Sequence, residues 1–200
     1  MRRILSVATA ILMLAAFAPA TSFAQDKEKE GGGKVETLKV DAAHSKLMAR
    51  ADHVGIGFVF VEFPDLSGTI EFNPDEPAES SIDFTAKTTT LVSHQKKRDK
   101  HLKGPDFFNA KKHPELTFES KNIEKTGEDT YKVAGDLTIK GTTKSIEIQV
   151  KHIGSGKGPQ GKFRRGFYTE FEINRLDFGI DWKPEASDEM VRIILAIESV

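Results

Sequence analysis

The sequence predicts an all-β protein, an antiparallel β-barrel with a short helical insertion at about 91–109, and three observations carry that expectation. Apolar and polar residues alternate with a period of two along most of the chain after Val35. Turn-forming residues punctuate the alternation at short intervals, at Pro64-Asp65, Asn73-Pro74-Asp75, Thr126-Gly127-Glu128-Asp129, Lys140-Gly141-Thr142 and Gly154 to Gly161. There is no βαβ rhythm, so the strands join as antiparallel neighbours in a barrel or a sandwich.

The first 24 residues read as a cleaved signal peptide. Arg2 and Arg3 precede an almost purely apolar run from Ile4 to Ala18, and Ser22-Phe23-Ala24 supplies small residues at a cleavage site. That run is shorter than the ~20 residues a spanning helix needs. Export implies a periplasmic protein. Residues 25–34 are charged and then glycine-rich, a flexible leader that cannot bury apolar area. One domain is then expected over 35–200.

The strands follow in order. Val35–Val40, Ser45–His53 and Ile56–Phe63 open the domain. Ile70 and Phe72 oppose Thr69, Glu71 and Asn73, while Ile82, Phe84 and Ala86 oppose Asp83, Thr85 and Lys87. Leu116 and Phe118 form the next apolar face, followed by Tyr131, Val133, Leu137 and Ile139, then Ile146, Ile148 and Val150. Phe167, Phe171 and Ile173, and finally Val191, Ile193, Leu195 and Ile197, complete about ten segments, some of which join as one bent strand. One segment departs from the pattern. Thr90 to Ala110 reads as helix, with Ser93 as its cap, Gly104-Pro105 as its end, and Phe107 and Phe108 turned inward. Its placement between strands suits a cap over one barrel end.

Composition narrows the function. Without Arg2 and Arg3 the chain holds 27 basic and 30 acidic residues, a net charge of −3, which excludes general nucleic-acid binding. Cys is absent, which removes disulfides, thiol nucleophiles and soft metal ligands. Phe is abundant at 14, against one Trp and two Tyr, so the interior is rich in purely apolar rings. The inward face offers Phe63, Ile70, Phe72, Ile82, Phe84, Phe118, Val133, Leu137, Phe167, Phe171, Ile173, Phe178, Ile193 and Leu195 as the lining of a cavity. Alternation alone fits a filled core as well as a tunnel.

The polar residues give no catalytic constellation. There is no GxSxG elbow and no HExxH helix. His94 and His101 lie two helical turns apart, too far to chelate together, and no metal or other cofactor is expected. His44 and His53 read as buried hydrogen-bonding residues, and His113 precedes Pro114 in an extended turn. Arg175 and Asp177 lie two apart at a strand end, on one face. Arg98, His101 and Arg175 are the candidates for a head-group contact at a cavity mouth. The competing reading makes the arginines part of an ion-paired corner that holds the helix to the rim.

Several stretches together resemble the YceI-like proteins, periplasmic polyisoprenoid-binding proteins with a lipocalin-like barrel. They include Val40-Asp41-x-x-His44-Ser45, His53, Arg98-Asp99-x-His101-Leu102 and Asp106-Phe107-Phe108. His113-Pro114-x-x-x-Phe118-x-Ser120, Gly135-Asp136-Leu137-Thr138-Ile139-x-Gly141, Thr143-Lys144 and Ile173-Asn174-Arg175-x-Asp177-Phe178-Gly179-Ile180 follow in order. The resemblance implies an extended eight-stranded antiparallel barrel around a tunnel for an isoprenoid or quinone-like lipid, with no catalytic residues. Between Gly55 and Phe63 the chain departs from that pattern. It is apolar on both faces, which turns Phe58 and Phe60 outward and puts Val61 where the tunnel has a glycine.

The energetics fit such a ligand. Each buried CH₂ contributes ~0.8 kcal/mol, so about twenty carbons approach the ceiling for non-covalent binding before ordering of the chain is subtracted. A binding protein is therefore the leading expectation. A stress-related interaction protein beside a membrane, contacting its anionic surface transiently through the basic helix, is a second. An enzyme acting on a lipid is a third. Uncovered strand edges also allow a homodimer.

Overall fold

The computed structural model describes residues 34–159, 161–182 and 188–200. The expected signal peptide and nearly all of the leader lie outside the described residues. Ten strands form one antiparallel sheet: β1 (Glu36–Lys39), β2 (Lys46–His53), β3 (Gly57–Glu62), β4 (Leu66–Phe72), β5 (Ser81–Lys87), β6 (Glu115–Lys125), β7 (Thr130–Ile139), β8 (Thr142–Lys157), β9 (Phe163–Asn174) and β10 (Met190–Ser199). Their order in the sheet is β1-β4-β5-β6-β7-β8-β9-β10-β2-β3.

The sheet curls back on itself. Lys39 and Val200 exchange backbone hydrogen bonds at 2.8 and 2.9 Å, and the Asp41 N–H donates to the Glu198 carbonyl at 2.8 Å, so the free side of β1 meets the end of β10. The sheet has ten strands where the resemblance implied eight. The additional breaks are local. A 3₁₀ turn at Ala42–His44, capped by the Asp41 carboxylate, separates β1 from β2. Pro64 separates β3 from β4, because its ring leaves no N–H for a ladder bond.

Alternation has its usual physical cause in these strands: one face buries apolar area and the other meets water. Along β7 every second residue from Tyr131 to Ile139 is buried. Tight hairpins follow the sequence as well. Lys140 and Gly141 both take positive φ between β7 and β8, and Val54 and Gly55 do the same between β2 and β3.

The helical insertion is shorter than expected. Helix α1 runs only from Lys96 to Leu102, because Thr88–Thr90 form a separate 3₁₀ turn and His94 takes a positive φ that no α-helix accepts. Gln95, not Ser93, caps it, its side chain accepting from the Arg98 N–H. Ser93 instead ties the helix down. The Asp99 carboxylate accepts from its N–H at 2.7 Å and its hydroxyl at 2.5 Å, while Arg98 Nε donates to Ser93 Oγ and Nη2 to the Ser93 carbonyl, each at 2.7 Å.

Candidate functional site

Each strand turns its apolar row toward the inside of the curl, and the rows do not meet across it. They enclose a cavity of about 710 Å³, in the range of sites that hold a small apolar ligand. All fourteen residues expected to line a cavity do line it. Three rows set its bore. Phe167, Thr169, Phe171 and Ile173 point in from β9, and Val191, Ile193, Leu195 and Ile197 from β10. Leu47, Ala49 and Ala51 point in from β2, and two alanines in that row leave room that larger side chains would fill.

Sequence reasoning missed those alanines, together with Val59 on β3 and Trp182 beyond β9. The period-two pattern of Lys46–His53 held the signal for the alanines, but small side chains say little alone. Phe58 and Phe60 face outward as expected, while Val61 is buried in the cavity wall.

One end of the cavity is floored by aromatic rings. Phe72 meets Tyr131 and Phe167 edge-on, with centroids 5.5 and 5.4 Å apart. Arg165 follows on the inward row of β9 and stacks over Phe72. Its buried guanidinium is held by two bonds to the Glu36 carboxylate, at 2.8 and 2.6 Å. Burial is the largest cause that raises the Tyr131 hydroxyl above its ordinary pKa, with Asp129 adding to it.

The other end is capped by α1 and the turn after it. Phe107 and Phe108 pack against the core, and Phe108 meets Phe63 edge-on at 5.5 Å. His101 is sandwiched by ring contacts to Phe107 and Trp182, at 5.0 and 4.8 Å, and its Nε2 lies 2.9 Å from Asp106 Oδ2.

Arg98, His101 and Arg175 all border the cavity, but the two arginines are committed to the protein. Arg98 holds Ser93. Arg175 is buried, and its guanidinium donates to the carbonyls of Ile180 at 2.6 Å, Asp188 at 3.1 Å and Trp182 at 3.3 Å. It fastens a 3₁₀ turn, Arg175–Phe178, rather than a strand end, so Arg175 is buried while Asp177 is exposed, and the two do not share a face. These bonds to backbone carbonyls tie the corner together. For Asp99, burial alone would raise the pKa, but the Ser93 hydrogen bonds and nearby Lys103 and Arg98 bring it below its ordinary value.

The remaining histidines correct the sequence reading in part. His44 and His53 are exposed, not buried, because each sits at an element end rather than within a packed row. His44 does join a cluster: Asp41, His44 and Glu198 present ligand atoms within 4.8 Å of one another. A cation already occupies that cluster. Arg164 Nη1 lies 2.6 Å from Asp41 Oδ2 and 2.5 Å from Glu198 Oε1. The Arg164 guanidinium, helped by His44, holds the Asp41 carboxyl well down, at about 2.

A curled antiparallel sheet around an apolar cavity defines a class of ligand-holding β proteins with a lipocalin-like fold. Residues 38–199 match the YceI-like domain, and the chain belongs to that family. A UPF0312 protein of Pectobacterium atrosepticum is 33% identical over 192 residues, covering 96% of this chain and 94% of that protein. Protein YceI of Escherichia coli is 33% identical over 181 residues, covering 90% and 94%. Among solved structures, Burkholderia cenocepacia BcnA superposes with a TM-score of 0.74 at 25% identity, over 80% of this chain and 99% of that one. A polyisoprenoid-binding domain from Saccharophagus degradans shares the fold, with a TM-score of 0.64 at 14% identity, over 83% and 98%.

Proposed function

We propose that this protein is a periplasmic carrier that holds one long apolar isoprenoid chain, of polyprenyl or quinone type, in its cavity, and that it is not an enzyme. The observation that carries the reading is the cavity itself: about 710 Å³ of space walled by apolar side chains from most strands of the sheet. Leaving such a volume unfilled sacrifices the dispersion contacts a packed core would make. A ligand of matching chemistry restores them. Membership of the YceI-like family and the polyisoprenoid-binding name of the Saccharophagus degradans domain support the ligand class. The polar atoms around the cavity support binding rather than chemistry, since the Arg98 and Arg175 guanidinia are engaged with Ser93 and with backbone carbonyls. No cofactor is needed for this role.

Trp182 is the sole Trp of the chain and borders the cavity beside His101 and Phe107, so its fluorescence reports on the ligand. Titration with a medium-length polyprenol is expected to shift that emission saturably. Ala49→Phe, which pushes a ring into the bore, is expected to abolish the shift while leaving a cooperative unfolding transition. Equal responses from both proteins, or no response from the native chain, contradict the reading.

A further inference from the structure

Among the described residues, five of the six large apolar side chains left exposed gather at one place, while the sixth, Ile153, lies apart on β8. Val54, Ile56, Phe58 and Phe60 all belong to the β2–β3 hairpin, and Met190 begins β10. Strand pairing sets Val191 beside Ala51, so Met190 and the hairpin project from the same rim. Ile56, at the tip, is 83% exposed. Val54 holds a positive φ of 52° in that turn, a conformation that suits Asn or Gly far better than a β-branched residue. The tip therefore keeps apolar side chains against both solvation and backbone preference.

A basic flank lies by the same opening. Helix α1 and the turns after it carry Lys96, Lys97, Lys100, Lys103, Lys111 and Lys112. The acids within this segment are Asp99 and Asp106, bound to Ser93 and His101 respectively. Val54 from the hairpin and Lys97 from α1 border the same cavity.

We propose that this rim docks on an anionic lipid bilayer, with the hairpin tip entering the head-group and acyl boundary and the α1 lysines meeting lipid phosphates. The cavity mouth then faces the membrane. Apolar side chains alone would equally suit a second copy of the chain. A symmetric pair of such rims, however, sets one basic flank against another, whereas a bilayer of anionic lipid complements both features at once. The proposal deepens the carrier reading by naming the donor of the ligand. It rests on that reading for its purpose, while the contact itself needs no ligand.

The test is sedimentation of the full mature chain with vesicles of phosphatidylcholine alone and with about one third phosphatidylglycerol. Binding is expected with the anionic vesicles and not the neutral ones, and it should weaken steeply as salt shortens the Debye length to about 3 Å. Ile56→Asp is expected to lower binding about tenfold, with an unchanged melting temperature because the side chain lies in solvent. Reversing Lys96, Lys97 and Lys100 to Glu should remove it. Absence of binding, or equal binding by native chain and variants, overturns docking. So does a concentration-dependent dimer abolished by Ile56→Asp without vesicle binding, which assigns the tip to a second copy. Polyprenol titration of the same samples through Trp182 separates the two readings. Uptake without vesicle binding overturns docking alone, and vesicle binding without uptake supports docking and overturns the carrier reading.

Discussion

The ring of Phe118 lies directly over Gly135: a Cβ on Gly135 would stand 2.5 Å from Phe118 Cζ and 2.6 Å from the Glu119 carbonyl oxygen. The two residues sit on paired strands, β6 and β7, and Gly135 interrupts the inward row of β7 between Val133 and Leu137. The glycine makes the space that lets Phe118 reach the cavity wall.

Gly135→Ala is therefore expected to destabilise the protein by about 1–3 kcal/mol, since the Glu119 backbone is fixed by the ladder and the ring must turn away. Denaturant unfolding measures this. Adding Phe118→Leu should recover part of the loss, because the leucine no longer reaches the added methyl, and the double-mutant comparison isolates that contact.

Asp41 sets an acid limit on stability. Its folded carboxyl titrates at about 2, below the ordinary 3.8, chiefly because Arg164 donates to it. A lowered folded value means that the stabilisation is present in full above about pH 4 and is lost as pH falls toward 2. Unfolding midpoints across that window should fall for the native chain, and Asp41→Asn should show a shallower fall from a lower plateau. Parallel curves would contradict this assignment.

The two arginines at the mouth should separate by kind of defect. Arg175→Ala strands the carbonyl of buried Ile180 and removes the bond to the Asp188 carbonyl, and is expected to cost about 1–3 kcal/mol. Arg98→Ala loosens the Ser93 tie that anchors α1. It should speed release of bound lipid, read by competition with a fluorescent analogue, with a much smaller change in global stability. A loss of affinity specific to one head group, at unchanged release of others, would instead assign Arg98 to ligand recognition.

The buried arginine at the floor gives a further expectation. Glu36→Gln leaves the buried Arg165 charge without its carboxylate partner and should cost about 1–3 kcal/mol. Glu36→Asp, which keeps the charge but shortens the reach, should cost less. Thermal unfolding of the two variants checks the order.

Much of the fold was legible because one physical rule governs it. Where a strand buries one face, as along Tyr131–Ile139, the buried and polar residues alternate in the sequence itself, and the cavity-lining residues follow from that alternation. Legibility failed where two rules compete. β3 is apolar on both faces, so periodicity alone did not mark which side turns in, and the outward placement of Phe58 and Phe60 was legible only against the family pattern. The pairing of Ala49 with Val61 decides it. The helix was overextended because Ser93 looks like a cap. Its hydroxyl is used instead by Asp99 and Arg98, a choice set by tertiary position. The role of Arg175 was hidden for the same reason: it donates to backbone carbonyls as far along the chain as Asp188, which no side-chain pattern announces. Arg164 between Asp41 and Glu198 joins residues 123 and 34 positions apart, beyond any local motif.

Native mass spectrometry shows whether the cavity holds an isoprenoid chain. The chain is produced with its N-terminal segment in a bacterial host, purified without detergent, and its mass compared before and after solvent extraction. A discrete extra mass that solvent releases and that matches a polyprenyl or quinone lipid is the predicted result. A bare chain mass, with no uptake of added polyprenol or quinone, would contradict it.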